Sequence, residues 1–282
     1  MNGLKKIQER YHYSWVVLKE LVKTDFQLRY QGSFLGIAWS VLKPLMLFCV
    51  MYVVFAKFLK FTDGTPTFPL VLLLGISLWN FFAEATTMGL NGITGRGDLL
   101  RKINFPKYIV VVSATIGSLI GLAINMAVVL IFCIFARVHF TWRVLLLPLN
   151  FVEFYLLALG TALILATLNV YFRDIQHIWE VLMQMFFYAT PIIYPLSMII
   201  DRFGPAHVAE AQLIIKVMLL SPPAQIIQDI RHNLIAPDTT PITWTAYNHW
   251  WIALFPVALT LMLLWIGVHI FRKYSRKFAE VL

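Results

Sequence analysis

The chain has 282 residues, of which 60% are hydrophobic and only 13% are charged, and its mean hydropathy is +0.75. A soluble domain would carry about 25% charged residues, so the composition excludes an ordinary soluble enzyme or binding module. The net charge is +9. In a chain this apolar, excess positive charge indicates orientation in a membrane and contact with anionic lipid headgroups, not nucleic-acid binding.

The N-terminal segment is charged and amphipathic, and it leads directly into an apolar run. Leu18 stands beside Lys19 and Lys23, a pattern typical of a helix that lies on a membrane surface. An early apolar core and a small-residue cleavage site, which mark a signal peptide, are absent from this segment. We therefore expect residues 1–34 to be cytoplasmic and to lie along the membrane surface before the first span.

Six apolar runs are each close to the length needed to cross a bilayer, about 20 residues. Helices satisfy their own backbone hydrogen bonds in lipid, and the sequence lacks the alternation of a membrane barrel, so an all-α integral membrane protein is predicted. The whole chain, 1–282, is expected to be a single transmembrane domain. The predicted spans are 35–57, 68–90, 108–135, 144–168, 178–194 and 250–270.

The distribution of Lys and Arg predicts the orientation of these spans. Basic residues concentrate in 1–34, in 91–107 and after residue 270, and they are sparser in the alternate loops. Because positive charge marks cytoplasmic loops, both termini are predicted to lie inside. An even number of spans agrees with that orientation.

The predicted outer region 195–249 contains two short helical patterns, at 206–220 and 224–235. They flank a sharp break at Ser221–Pro223. One interpretation is a re-entrant helical hairpin that dips back into the membrane between the fifth and sixth spans. The alternative is an interfacial helical loop that lies on the outer leaflet.

Two charged residues fall inside predicted spans, where charge is costly and often functional. Lys43 and Glu84 are predicted to lie roughly 9–12 Å from the same membrane face, at about 1.5 Å per residue. They could pair, or together shape a polar opening. Alternatively, Lys43 snorkels to headgroups and Glu84 bonds to hydroxyls such as those of Thr86 and Thr87.

Aromatic residues follow helical spacing in the first span and recur in the fifth. Such a face can stack on sugar rings in a channel, although helix packing and lipid contact give the same pattern. The predicted substrate-channel residues are Phe48, Tyr52, Phe55, Phe186, Phe187 and Tyr188.

The basic segment 91–107 is predicted to contain a short helix at the cytoplasmic surface. Asp98 suits its first turn, Arg101 and Lys102 suit its last turn, and Pro106 ends it. A short, bounded helix of this kind is suited to docking with a partner protein. The alternative is a plain positive-inside loop.

The sequence contains no Gly-Lys pair, so a Walker A motif is absent, and no Cys/His spacing indicates a metal site. The chain is therefore predicted to be a passage driven by another protein, and not an enzyme by itself.

Four ordered stretches of the sequence make this interpretation more specific. They are Asp25–Tyr30 with Gly32–Trp39 and Lys43–Leu45, Leu99–Lys107, Asn169–Ile175 with Ala189–Pro195, and Leu220–Ile226.

Together these stretches resemble the permease subunits of ABC-2 type exporters of polysaccharide and teichoic acid. The resemblance implies two copies of this chain in the bacterial cytoplasmic (inner) membrane above two copies of a separate ATPase. That ATPase would bind ATP and Mg²⁺, and this chain would hold no cofactor or metal. The implied interface helix covers roughly residues 14–30. The implied coupling helix consists of Asp98, Leu99, Leu100, Arg101, Lys102, Ile103 and Asn104.

The implied cargo is a glycan such as O-antigen or teichoic acid carried on undecaprenyl diphosphate. Its diphosphate would meet Arg29, Lys43 and Arg96, and the first and fifth spans would line the passage. Three alternatives stay open. They are an ABC-2 permease for a drug or simple lipid, a membrane enzyme acting on polyprenyl phosphates, and a secondary transporter. The enzyme would need clustered Asp, His and Arg in cytoplasmic loops, and the secondary transporter would show internal repeats.

Overall fold

A computed structural model of the protein describes residues 13–25, 27, 35–60, 64–103 and 105–281. All regular elements in these ranges are helical, as the sequence predicts. The first helix, α1, covers residues 13–25.

Twelve further helices follow along the described chain, and short 3-10 turns lie between several of them. The helix α2 continues as a π-helical stretch, Tyr52–Phe58. The helices are α2 Trp39–Met51, α3 Phe68–Gly92, α4 Gly97–Lys102, α5 Tyr108–Phe135, α6 Leu147–Tyr171, α7 Ile175–Ala189, α8 Ser197–Phe203, α9 Val208–Leu219, α10 Pro222–Leu234, α11 Thr243–Tyr247, α12 Leu254–Tyr274 and α13 Phe278–Val281.

Four helical segments are long and apolar enough to cross a bilayer, and they correspond to the second, third, fourth and sixth predicted spans. The segments are Phe68–Gly92, Tyr108–Phe135, Trp142–Tyr171 and Trp250–Lys277.

The helices at the first and fifth predicted spans are shorter. The apolar helix of the first span covers Trp39–Val54, and α7 of the fifth has 15 residues. The helix α7 ends at Ala189 because Thr190, which precedes Pro191, adopts an extended backbone. A residue before proline is disfavoured in the helical region, so the chain leaves the helix there.

The helix α3 lies at the centre of the bundle. It packs against α2, α5, α6, α7 and α10. Leu72, Leu74, Ile76 and Leu78 are fully buried, and a helix that is apolar all round is expected to be enclosed by protein. The helix α12, by contrast, packs along α6 and leaves most of its apolar surface exposed.

The helices α6 and α12 approach closely at two glycines. A β-carbon at Gly160 would lie 2.7 Å from the backbone of Leu264. A β-carbon at Gly267 would lie 2.5 Å from the carbonyl oxygen of Gly160. Small residues allow membrane helices to pack backbone against backbone, so this pair of glycines sets the α6–α12 contact.

The predicted pair of short helices around the Pro-Pro break is present. The helices α9 and α10 meet at an angle of 98° at the break that contains Pro222. The buried surface of α10 is more polar than the sequence pattern suggested, and some of its polar groups bond to other parts of the protein. Asn233 donates to the Oδ1 atom of Asn150 on α6 at 2.9 Å. The buried polar residues of α10 are Gln225, Gln228, Arg231, His232 and Asn233.

Arg231 joins α10 to two other elements through backbone carbonyls. Its guanidinium donates to the carbonyl oxygen of Val71 on α3 at 3.1 Å. It also donates to the carbonyl oxygens of Pro191 at 2.5 Å and Ile192 at 2.6 Å, just beyond the end of α7. A buried cation is tolerated when its donors are satisfied in this way, and Arg231 thereby fixes the break after α7 against α3.

Candidate functional site

A polar cleft opens between α2, α3 and α5. It has a volume of about 510 Å³ and is half open to the surroundings. Because the helices around it are apolar, a cleft with this lining is a candidate binding site. The polar residues that line it are Ser40, Lys43, Ser77, Asn80, Glu84, Thr87, Ser118 and Asn125.

The lining of α3 follows a helical repeat that the sequence already contained. Ser77, Asn80, Glu84 and Thr87 lie at spacings of three, four and three, which puts them on one face of the helix. Of this set, the sequence pattern singled out Glu84, with Thr87 as one possible hydrogen-bond partner, and it missed Ser77 and Asn80. The signal that could have found the others is a polar stripe in an otherwise apolar span.

Several polar groups of the cleft donate hydrogen bonds to backbone carbonyls of their own helices. Ser77 donates to the carbonyl of Leu73 at 2.9 Å, and Asn125 donates to the carbonyl of Gly121 at 2.9 Å. A hydroxyl or amide oxygen keeps acceptor capacity after its donor is used. The cleft therefore offers acceptor oxygens together with the ammonium group of Lys43, an arrangement suited to a hydroxyl-rich or anionic ligand.

Lys43 and Glu84 line this same cleft from α2 and α3. This common placement is compatible with a shared polar opening. That opening and a direct pairing of Lys43 with Glu84 both stay predictions. Pro44, the next residue after Lys43, is the buried residue of α2 and holds this part of the helix against the bundle.

The aromatic stripe on α2 faces the body of the protein. Phe48 and Tyr52 stack with ring centroids 5.8 Å apart, and both pack partly buried against the main core. The opposite face of α2 is exposed at Met46 and Val50. The side chain of Phe55 lies outside the described part of the protein. The assignment of this stripe to a channel remains a prediction.

The aromatic residues of α7 divide between core and surface. Phe187 lies 6.1 Å from Trp79 of α3 between ring centroids, and it packs against the core. Phe186 and Tyr188 are exposed. Thus, of the predicted channel residues on α7, Phe187 packs with the core while the other two project outward. Trp179 fixes α7 in place by donating to the Oγ1 atom of Thr86 at 3.1 Å.

Arg96, in the turn before α4, forms an ion pair. Its guanidinium donates to Asp25, at the end of α1, and to the Oγ atom of Ser113 on α5 at 3.4 Å. Ser113 in turn donates to Asp25 at 3.3 Å. The predicted diphosphate contact at Arg96 is thus already a bridge between α1 and α5. Arg29, the other predicted contact near α1, lies outside the described residues.

The helix α4 coincides with the predicted coupling segment and divides it into two faces. Leu100 is buried and Leu99 is partly buried, so both anchor the helix to the protein. The surface that remains available to a partner consists of Asp98, Arg101, Lys102 and Ile103, whereas Asn104 lies outside the described residues.

Comparison with known proteins places these features in a family. The sequence model of the ABC-2 type transporter family matches residues 16–204. The chain is similar to the O-antigen export system permease protein RfbA of Myxococcus xanthus, with 28% identity over 277 residues that cover 98% of this chain and 99% of the relative. Two proteins of the same name from Klebsiella pneumoniae are 24% and 22% identical over 281 residues, with the same coverage.

Proposed function

Because the chain belongs to the ABC-2 type transporter family, we propose that it is the membrane-spanning permease of an ATP-driven polysaccharide exporter. Its cargo is a lipid-linked glycan of the O-antigen type, carried on a polyprenyl diphosphate such as undecaprenyl diphosphate. The protein provides the passage, and ATP and Mg²⁺ bind to a separate ATPase subunit.

The observation that carries this proposal is the end-to-end correspondence with the export permeases. The similarity covers 98% of this chain and 99% of each of the three relatives. All three are named as permeases of an O-antigen export system, which favours a polysaccharide over a drug or a simple lipid. The same names favour O-antigen over teichoic acid.

The polar cleft supports a glycan or its lipid diphosphate as the ligand. A sugar carries many hydroxyl donors, and the oxygens of Ser77 and Asn125 keep acceptor capacity toward the cleft. Lys43 adds a positive charge that matches a diphosphate, because charge-assisted hydrogen bonds are stronger than neutral ones. Substrate would reach the cleft from the cytoplasmic half of the membrane.

We propose six membrane crossings with both termini in the cytoplasm. The helix α2 and its π-helical continuation contribute 13 and 7 residues, which together span roughly 30 Å at about 1.5 Å per residue. The fifth crossing consists of α7 and the irregular segment that follows it. The helices α9 and α10 form the re-entrant hairpin near the outer exit, where irregular backbone is shielded by protein.

The assembly contains two copies of this chain and two copies of the ATPase. The exposed apolar faces of α2 and α7 are available to a second copy or to lipid. The exposed face of α4 docks with the ATPase through Arg101 and Lys102. Binding of ATP changes the spacing of the two α4 helices and shifts the passage between states.

Deletion and copurification test the proposal together. Cells that lack the gene should lose surface polysaccharide and accumulate lipid-linked polymer at the inner face of the membrane. The tagged chain should copurify with an ATPase subunit, and export should stop when ATP hydrolysis is blocked. Unchanged surface polysaccharide in the deletion strain, or a purified chain without any ATPase, would contradict the proposed function.

A further inference from the structure

The C-terminal segment packs against the coupling helix, and we propose that it is a positioning element for energy coupling. In this inference, Phe278 holds α4 against the end of α12, so that a force applied to α4 is passed to α12. The inference rests on the proposed function, because it assigns a transmission role within the same exporter.

Phe278 is the centre of a small apolar core that is separate from the main one. Its side chain is fully buried. The same cluster contains the buried residues Leu100 of α4, Phe271 of α12, and Phe105, which lies between α4 and α5. The rings of Phe271 and Phe278 meet edge to face with centroids 5.4 Å apart. A third ring, that of Tyr171 at the end of α6, lies 6.5 Å from Phe278. Phe278 therefore contacts the ends of two long helices and shares a core with α4.

Lys107 fastens the same segment from the side of α5. Its Nζ atom donates to the carbonyl oxygen of Ser275 at 2.7 Å. The same atom lies 5.8 Å from the centroid of the Phe278 ring, within the range of a cation–π contact. Burial lowers the pKa of the Lys107 amine, and the carboxylate of Glu280 opposes that shift. The C-terminal segment is thus bound to the residue that immediately precedes α5.

Residues of the helix α1 also pack against this core. Val17, Leu18 and Leu21 pack partly buried against it. The ion pair between Asp25 and Arg96 ties the end of α1 to the turn that leads into α4. Hence α4 is held between an N-terminal and a C-terminal segment of the chain.

The length of α4 makes this support necessary. It has six residues, whereas isolated helices shorter than about 12–15 residues are marginal in water. The position of α4 must therefore be set by packing, and Leu100 is the buried residue through which the helix packs. Since α13 follows α12 after only the turn Ser275–Lys277, Phe278 provides a short, packed connection from α4 to α12.

The test compares Phe278→Ala with the wild type in the intact permease–ATPase complex. Loss of the ring leaves a cavity, so protection of residues 97–103 against hydrogen exchange should fall by about tenfold or more. Export per ATP hydrolysed should fall by a similar factor while the ATPase remains bound. Phe278→Leu, which keeps an apolar side chain in the core, should restore most of both quantities.

Two further variants keep the test decisive. Val281→Ala changes an exposed residue of the same segment and should leave exchange and export unchanged. Lys107→Met removes the bond to Ser275 and should lower protection of 97–103 in the same direction, even if Phe278→Ala does not accumulate. Wild-type protection of 97–103 and wild-type export per ATP in both Phe278→Ala and Lys107→Met would overturn the inference and leave the proposed function intact. Failure of the wild-type complex to export with ATP would instead overturn the proposed function, and the transmission role with it.

Discussion

The guanidinium of Arg231 occupies the space that a β-carbon at position 75 would need. The helices α3 and α10 therefore meet through a glycine on one and an arginine on the other. Arg231 then reaches the carbonyl oxygens of Val71, Pro191 and Ile192. A single buried side chain thus links the central helix, the outer hairpin and the break after α7.

Gly75→Ala should destabilise the protein because the added methyl group collides with Arg231. Overpacking of this kind costs about 1–3 kcal/mol, so the midpoint of thermal unfolding in detergent should fall. Gly95→Ala is a matched control, since a β-carbon at that position would meet no atom within 4 Å. In an Arg231→Met background, Gly75→Ala should cost less stability, because the flexible Met side chain can move away from the added methyl group. Strictly additive effects of the two changes would contradict this account.

Gly160→Ala should weaken the contact between α6 and α12. The new methyl group would press on the backbone of Leu264, which cannot move without displacing α12. We expect a loss of about 1–3 kcal/mol, measured as a lower thermal midpoint. Gly92→Ala serves as the control, because its nearest neighbour, a methyl group of Val110, lies at 3.4 Å. Equal stability of the two variants would show that the close approach is not needed.

Lys43→Met should depress polysaccharide export while membrane insertion is kept. A hydrogen bond to a charged group contributes about 1.5–3 kcal/mol, so loss of one such bond to the substrate should lower export on the order of tenfold. Surface polysaccharide and inner-face lipid-linked polymer are the measurements. Lys60→Met, which removes a cation after the π-helical stretch and outside the cleft, should leave export unchanged. Normal export by Lys43→Met would reduce Lys43 to a residue that snorkels to headgroups.

Reversal of charge at Arg101 and Lys102 should weaken attachment of the ATPase. Both side chains are exposed on α4, so the double change to Glu alters the docking surface without removing a buried anchor. We expect the amount of ATPase that copurifies to fall on the order of tenfold. Arg137→Glu reverses a cation at the far end of α5 and should have no effect on copurification. Leu100→Ala should act differently, because it removes packing and lowers stability. If the double variant retains the wild-type amount of ATPase, α4 does not dock through these cations.

The sequence by itself determined the helical class, the positions of the main spans and several boundaries. Apolar runs predicted the four long helices because burial of apolar side chains acts on each segment independently. Pro222 and Pro223 predicted the break between α9 and α10. This signal is also local, because proline lacks a backbone N–H and cannot continue a preceding helix. Asp98 lies in the first turn of α4, as predicted, whereas the helix ends at Lys102 and not at Asn104, because Ile103 adopts an extended backbone.

Only the tertiary structure decided which residues share a site. The cleft combines Lys43, Glu84 and Asn125 from three helices, and no local pattern relates them. Arg231 bonds to Val71 across a separation of 160 residues, and its acceptors are backbone carbonyls that every residue carries. Hydropathy and proline signals act over a few neighbouring residues. These contacts arise only when distant helices pack, so their partners cannot be read from the chain in isolation.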